Sequence, residues 1–105
     1  MRIEPSSRFI KDAKTLAKKY KKLSKDLELL QKLLLDNPES GTPLGNNIFK
    51  IRIPNSSIPT GKSGGFRVIT YFFSDDFIYL LTIYSKSDRE SISDGEIDSI
   101  IENLD

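Results

Sequence analysis

Three apolar, aromatic-rich runs of strand length dominate the second half of the chain and leave it few ways to fold: strands are predicted at about 47–53, 65–73 and 77–85. Ser74-Asp75-Asp76 is a tight polar connection, so the last two strands form an antiparallel hairpin. Each run carries cations in or beside it: Lys50 and Arg52, then Arg67, then Lys86 and Arg89. Burying such a charge unpaired is costly, so each needs water or a partner. Strand alternation puts Lys50 and Arg52 on one face and Phe49, Ile51 and Ile53 on the other. A sheet that gathers these cations on one side makes a cleft for a polyanion. Whether Arg67 and Lys86 join that face depends on strand register, which the residues do not spell out.

The first half is helical by periodicity. Arg2-Ile3-Glu4 is a short first strand ended by Pro5. From Ser7, Phe9, Ala13, Leu16, Tyr20 and Leu23 recur at three- and four-residue spacing, and Leu27, Leu30 and Leu34 continue the stripe. A break near Ser24 divides it into two helices, since serine favours N-caps, and Asp36-Asn37-Pro38 stops the second. Residues 37–47 read as loop, and 54–64, rich in proline and glycine, as a longer connection. Ser93 and Glu96 have capping-box spacing before Ile97, Ile100, Ile101 and Leu104, the apolar face of a last helix. The expected architecture is α+β: two N-terminal helices on a small antiparallel-rich sheet of three or four strands, closed by a C-terminal helix, in one domain spanning 1–105.

The net charge of +1 hides an asymmetry. Lys11, Lys14, Lys18, Lys19, Lys21, Lys22 and Lys25 stand against Asp12 alone, whereas Asp94, Glu96, Asp98, Glu102 and Asp105 have no cation among them. Polyanions respond to local patches, so the lysine run reads either as a nucleic-acid-facing helix or as a solvated one. No apolar run approaches the roughly 18 residues of a membrane span. The first residues lack the apolar stretch of a secretory signal, and there is no cysteine, which together suit a cytoplasmic protein.

Several motifs lead nowhere. Gly61-Lys62-Ser63 resembles the tail of a phosphate-binding loop, but Ser56 stands where the upstream glycine belongs and a strand follows, not a helix. Asn55-Ser56-Ser57 is a glycosylation sequon without a secretion signal. Turn chemistry accounts for Asp75-Asp76. The absence of histidine and cysteine removes most zinc sites, serine triads and thiol nucleophiles.

RNA cleavage by attack of a 2′-hydroxyl needs a base, an acid and stabilisation of the developing phosphorane charge. Without histidine, a tuned lysine or tyrosine must move protons, while arginine clamps phosphate. Lys50, Arg52, Arg67, Lys86 and Arg89 are the residue types required, and Tyr71, Tyr79 and Tyr84 offer surfaces for base stacking. The competing interpretation is that these are edge-strand charges that discourage aggregation.

The same segments resemble the RelE/ParE superfamily of bacterial toxins, most closely its HigB-like, RelE-type subgroup. The resemblance covers nearly the whole chain. It is carried by Gly61-Lys62-Ser63-Gly64-Gly65-Phe66-Arg67-Val68-Ile69 together with Leu80-Leu81-Thr82-Ile83-Tyr84-Ser85-Lys86. It implies a toxin of a type II toxin–antitoxin system: a ribosome-dependent mRNA endonuclease that cuts the message in the A site of the 70S ribosome without a metal or other cofactor. By position, Lys50 and Arg52 match cations that contact the RNA backbone and assist proton transfer. Arg67 matches the arginine that stabilises the transition state, and Arg89, beyond Lys86, the cation near the leaving group. The lysines of the first helices, with Lys62 and Tyr84, then contact RNA. Ser93 stands where the RelE prototype has a tyrosine, so the general base stays open among Lys50, Lys86 and a tyrosine such as Tyr84.

The resemblance also implies a cognate antitoxin, often with a helix-turn-helix DNA-binding domain, through which alone the toxin meets DNA; it implies no membrane partner. A ParE-like gyrase inhibitor and a non-catalytic relative acting as a binding module share the fold. A gyrase blocker has no need of Lys50, Arg52 and Arg67 together.

Overall fold

A computed structural model describes residues 1–58 and 65–104. The elements run β1 (Arg2–Pro5), α1 (Ser7–Lys19), α2 (Leu23–Asp36), β2 (Thr42–Gly45), β3 (Ile48–Ile53), β4 (Phe66–Ser74), β5 (Phe77–Ser85) and α3 (Asp94–Glu102). The sheet order is β1-β5-β4-β3-β2, with β1 parallel to β5 and the other neighbours antiparallel. The fold is α+β as expected, with five strands rather than three or four.

The added strand is β2, which lies in the segment read as loop. Asn46 and Asn47 both have positive φ, at 53° and 63°, as a two-residue hairpin turn of the mirror-image kind requires. β2 is short, wholly exposed and contains Pro43, so neither apolar alternation nor β propensity marks it. Gly41 permits the pairing: its φ is +100°, and a Cβ there would meet the Lys50 carbonyl oxygen at 2.5 Å.

The helices start where local donors are satisfied. The Ser6 hydroxyl accepts from Phe9 N–H and donates to the Leu81 carbonyl, which caps α1 and ties it to the sheet. The break between helices falls at Tyr20–Lys22, earlier than Ser24, because Tyr20 turns extended and buries its ring. Its ring sits edge-on to Phe66 with centroids 5.4 Å apart. No side chain caps α2 at Lys22. The buried Asp26 in its first turn instead accepts from the Ser56 amide at 3.0 Å and from the Ser56 hydroxyl, fixing the chain just after β3.

Each sheet face has its own core. On one, Phe9, Leu16, Tyr20, Leu23, Leu30 and Leu34 pack on Ile51, Ile53, Phe66, Val68, Ile78, Leu80 and Ile83. On the other, Ile97 and Ile100 of α3 cover Ile48, Ile69, Leu81 and Tyr84. Ser93 caps α3 by accepting from Glu96 N–H. None of the helices is long and apolar enough to cross a membrane among the described residues.

Candidate functional site

Register decides the site. Ile53↔Phe66 and Arg52↔Arg67 pair across β3 and β4, and Arg67↔Tyr84 across β4 and β5. Directly paired residues share a face, so Arg52, Arg67 and Tyr84 form one row across three strands. Lys50 lies two residues from Arg52 and on the same face.

A bulge makes this possible. Ile69 pairs with Thr82 but Thr70 pairs with Leu80, so Leu81 is an extra residue in β5. Tyr79 and Tyr84 are five residues apart, and strict alternation would set them on opposite faces. The inserted residue brings both to the α3 side, where Tyr79 stacks with Tyr71 and Tyr84 faces Arg67.

Arg67 is 3% exposed, and its Nη1 donates to the Phe66 carbonyl at 3.3 Å. No carboxylate pairs with Arg67, Arg52 or Lys50 among the described residues. Burial, then the neighbouring Arg52 charge, pushes the Arg67 guanidinium below its ordinary value, while Tyr84 acts in the opposite sense. Arginine starts so high that it remains a cation at neutral pH. The result is a sheltered positive charge with no carboxylate partner among the described residues. Burial pushes the Tyr84 phenol up, against the pull of Arg67 and Arg89.

Arg89 reaches the row from the loop after β5. Its guanidinium lies 5.8 Å above the Tyr84 ring and donates to both Glu96 oxygens, at 2.7 and 3.2 Å. Glu96 also meets Arg8 at 3.5 Å, and Arg8 pairs with Asp12 at 3.0 Å. Glu96 is the neighbour of the row that sequence reasoning missed. Its spacing from Ser93 assigned it to the cap, and nothing local reveals a partner seven residues upstream.

The remaining predicted residues lie elsewhere. Lys86 is exposed in the turn after β5, where its amide donates to Gly65 at 3.1 Å. Lys11, Lys14, Lys18, Lys19, Lys21, Lys22 and Lys25 are all exposed, but they belong to the helical layer on the opposite side of the sheet from the Arg52–Arg67–Tyr84 row. Lys19 pairs with Asp88 at 3.0 Å, which joins that layer to the turn carrying Lys86. Lys62 and the Gly61–Gly64 part of its motif lie outside the described residues. A depression of about 170 Å³ beside the row is lined by Asp12, Tyr84, Ser85 and Arg89 among others. Larger ones of about 250 and 240 Å³ lie against β1, away from Arg52 and Arg67.

The sequence pattern of the RelE toxin of the RelE/RelB toxin–antitoxin system matches residues 1–103. The chain belongs to the RelE toxin family. No curated protein matches it. Membership makes this a toxin of a toxin–antitoxin system, with a cognate antitoxin as its implied partner. For a RelE toxin, the sheet row gains a context: the residues it gathers are four of the positions, Lys50, Arg52, Arg67 and Tyr84, singled out for contact with RNA. Arg89 joins them through Tyr84, whereas Lys86 and the lysine-rich helices do not.

Proposed function

We propose that this RelE toxin is a cytoplasmic, ribosome-dependent mRNA endonuclease of HigB-like type. It cuts translated messages in the A site, and its cognate antitoxin neutralises it. The observation that carries the proposal is the buried Arg67, without a carboxylate partner among the described residues, in one row with Arg52 and Tyr84. A positive charge preorganised in a sheltered place stabilises charge that develops on a phosphorane without reorganising at the moment of reaction. Lys50 and Arg52 hold the flanking backbone, and the exposed lysines of α1 and early α2 meet ribosomal RNA through a different side of the molecule.

The test is induction of wild type and Arg67→Ala in a bacterial host lacking the antitoxin, with mRNA 5′ ends mapped by primer extension. In-frame cuts within translated regions are expected for wild type. Loss of one such electrostatic group lowers the rate by about 10²–10³-fold, so Arg67→Ala leaves the messages intact. Unimpaired cutting by Arg67→Ala overturns the site. Growth arrest without cuts turns the reading toward a gyrase block.

A further inference from the structure

Tyr84 carries a polar atom that the fold buries: the residue is 6% exposed, and among the described residues its hydroxyl has no hydrogen-bond partner. Buried hydroxyls are nearly always paired, so an orphan at a cationic site marks the place of a missing acceptor. On the opposite face, the buried Tyr20 hydroxyl lies 3.4 and 3.3 Å from the hydroxyls of Ser85 and Ser87. The same sheet satisfies one buried phenol and leaves the other open.

The surroundings select the acceptor. Arg67 stands directly across from Tyr84 and Arg89 lies over its ring, and guanidinium groups only donate. The carboxylates nearby are all engaged: Glu96 by Arg89 and Arg8, Asp12 by Arg8 and the Thr82 hydroxyl, and Asp88 by Lys19. A group that meets both the Arg67 charge and a free O–H is an anion with several acceptor oxygens, which a phosphodiester supplies. A phenol keeps its proton at neutral pH, so the Tyr84 hydroxyl has a proton to give; burial pushes its pKa further up.

We infer that Tyr84 is the general acid of the cleavage, donating its hydroxyl proton to the departing 5′-oxygen. The inference rests on the nuclease reading above. In the step, the 2′-oxygen bonds to phosphorus and its proton passes to water. The bond from phosphorus to the 5′-oxygen breaks, and that oxygen takes the Tyr84 proton, leaving a 2′,3′-cyclic phosphate and a free 5′-hydroxyl. The phenolate recovers its proton from water. Arg67 carries the charge on the non-bridging oxygens. Tyr84 and Arg89 line the same depression, and the Arg89–Glu96 pair is more than a third exposed; such ion pairs are weak, so an incoming phosphate displaces it readily.

The deciding experiment is single-turnover cleavage on programmed 70S ribosomes. One message is ordinary; the other carries sulfur in place of the 5′-oxygen at the linkage that wild type cuts, because a thiolate leaves without a proton. Tyr84→Phe is expected to slow the ordinary message by about 10²-fold or more and to cut the sulfur-bridged one within a few-fold of wild type. Arg67→Ala is slow on both. Its unfolding curve checks that Tyr84→Phe is folded. Tyr84→Phe at wild-type speed on the ordinary message, or equally slow on both messages, overturns the role. Wild type that leaves the ordinary message whole overturns the nuclease reading, and this inference with it.

Discussion

At Arg67, the fold shelters a charge that it does not neutralise. Arg52 faces it across the strand pair, and among the described residues only the Phe66 carbonyl accepts from it. Replacing even a buried ion pair with apolar bulk of similar volume is often neutral or stabilising by about 1–4 kcal/mol, and an unpaired buried charge bears the desolvation cost without the compensating attraction. Arg67→Met is therefore expected to unfold at higher urea concentration than wild type while losing growth inhibition. A lower midpoint would mean that the guanidinium is structurally satisfied and not held in reserve for a ligand. Glu96 shows the opposite arrangement. The Arg89 guanidinium beside it holds its carboxyl below the usual carboxylate range, with Arg8 assisting. A carboxyl depressed in the folded state stabilises above its unfolded pKa, about 4.3. That contribution is lost as pH falls through the lower folded value. Urea midpoints measured from pH 6 down to pH 3 should fall more steeply for wild type than for Glu96→Gln. The pair is well exposed, so added salt should shrink the difference.

Among the elements, α2 and β3 are joined by a side chain rather than by an apolar stripe alone. Asp26 is 1% exposed, and both its oxygens accept from Ser56. Asp26→Ala leaves the Ser56 donors without their acceptor, at a cost of about 1–3 kcal/mol, measurable as a reduced urea midpoint. An unchanged midpoint would show that water replaces the carboxylate. The apolar spacing that predicted α2 named Leu23, Leu27, Leu30 and Leu34 but passed over Asp26, since a lone aspartate on a helix ordinarily reads as surface. β2 escaped for a related reason. Its partner is another strand's backbone, and hydrogen bonding by backbone groups leaves little trace in side-chain character. Asn46-Asn47 was the available signal, as a pair of residues tolerant of positive φ.

Across the whole molecule, the sheet separates two charged territories: exposed lysines on the helical pair, and on the other side the row of Arg52, Arg67 and Tyr84 beside an acidic α3. The lysine run, both helices, the β4–β5 hairpin, the Ser93 cap and the membership of Lys50 and Arg52 in one face were legible in the residues. Each follows from local rules: 3.6- and 2-residue periodicity, turn chemistry and capping. What joins Arg67 and Tyr84 to that face was not legible. It depends on the register of β3 on β4 and on the extra residue at Leu81, which shifts Tyr84 to the α3 side of β5. The pairing of Arg89 with Glu96 likewise depends on how α3 docks. By itself the sequence determined which cations and tyrosines exist and which elements bear them. The tertiary structure alone decided which of them meet and that the Tyr84 hydroxyl is buried without a partner among the described residues, because register and burial are set by contacts between segments far apart in the chain.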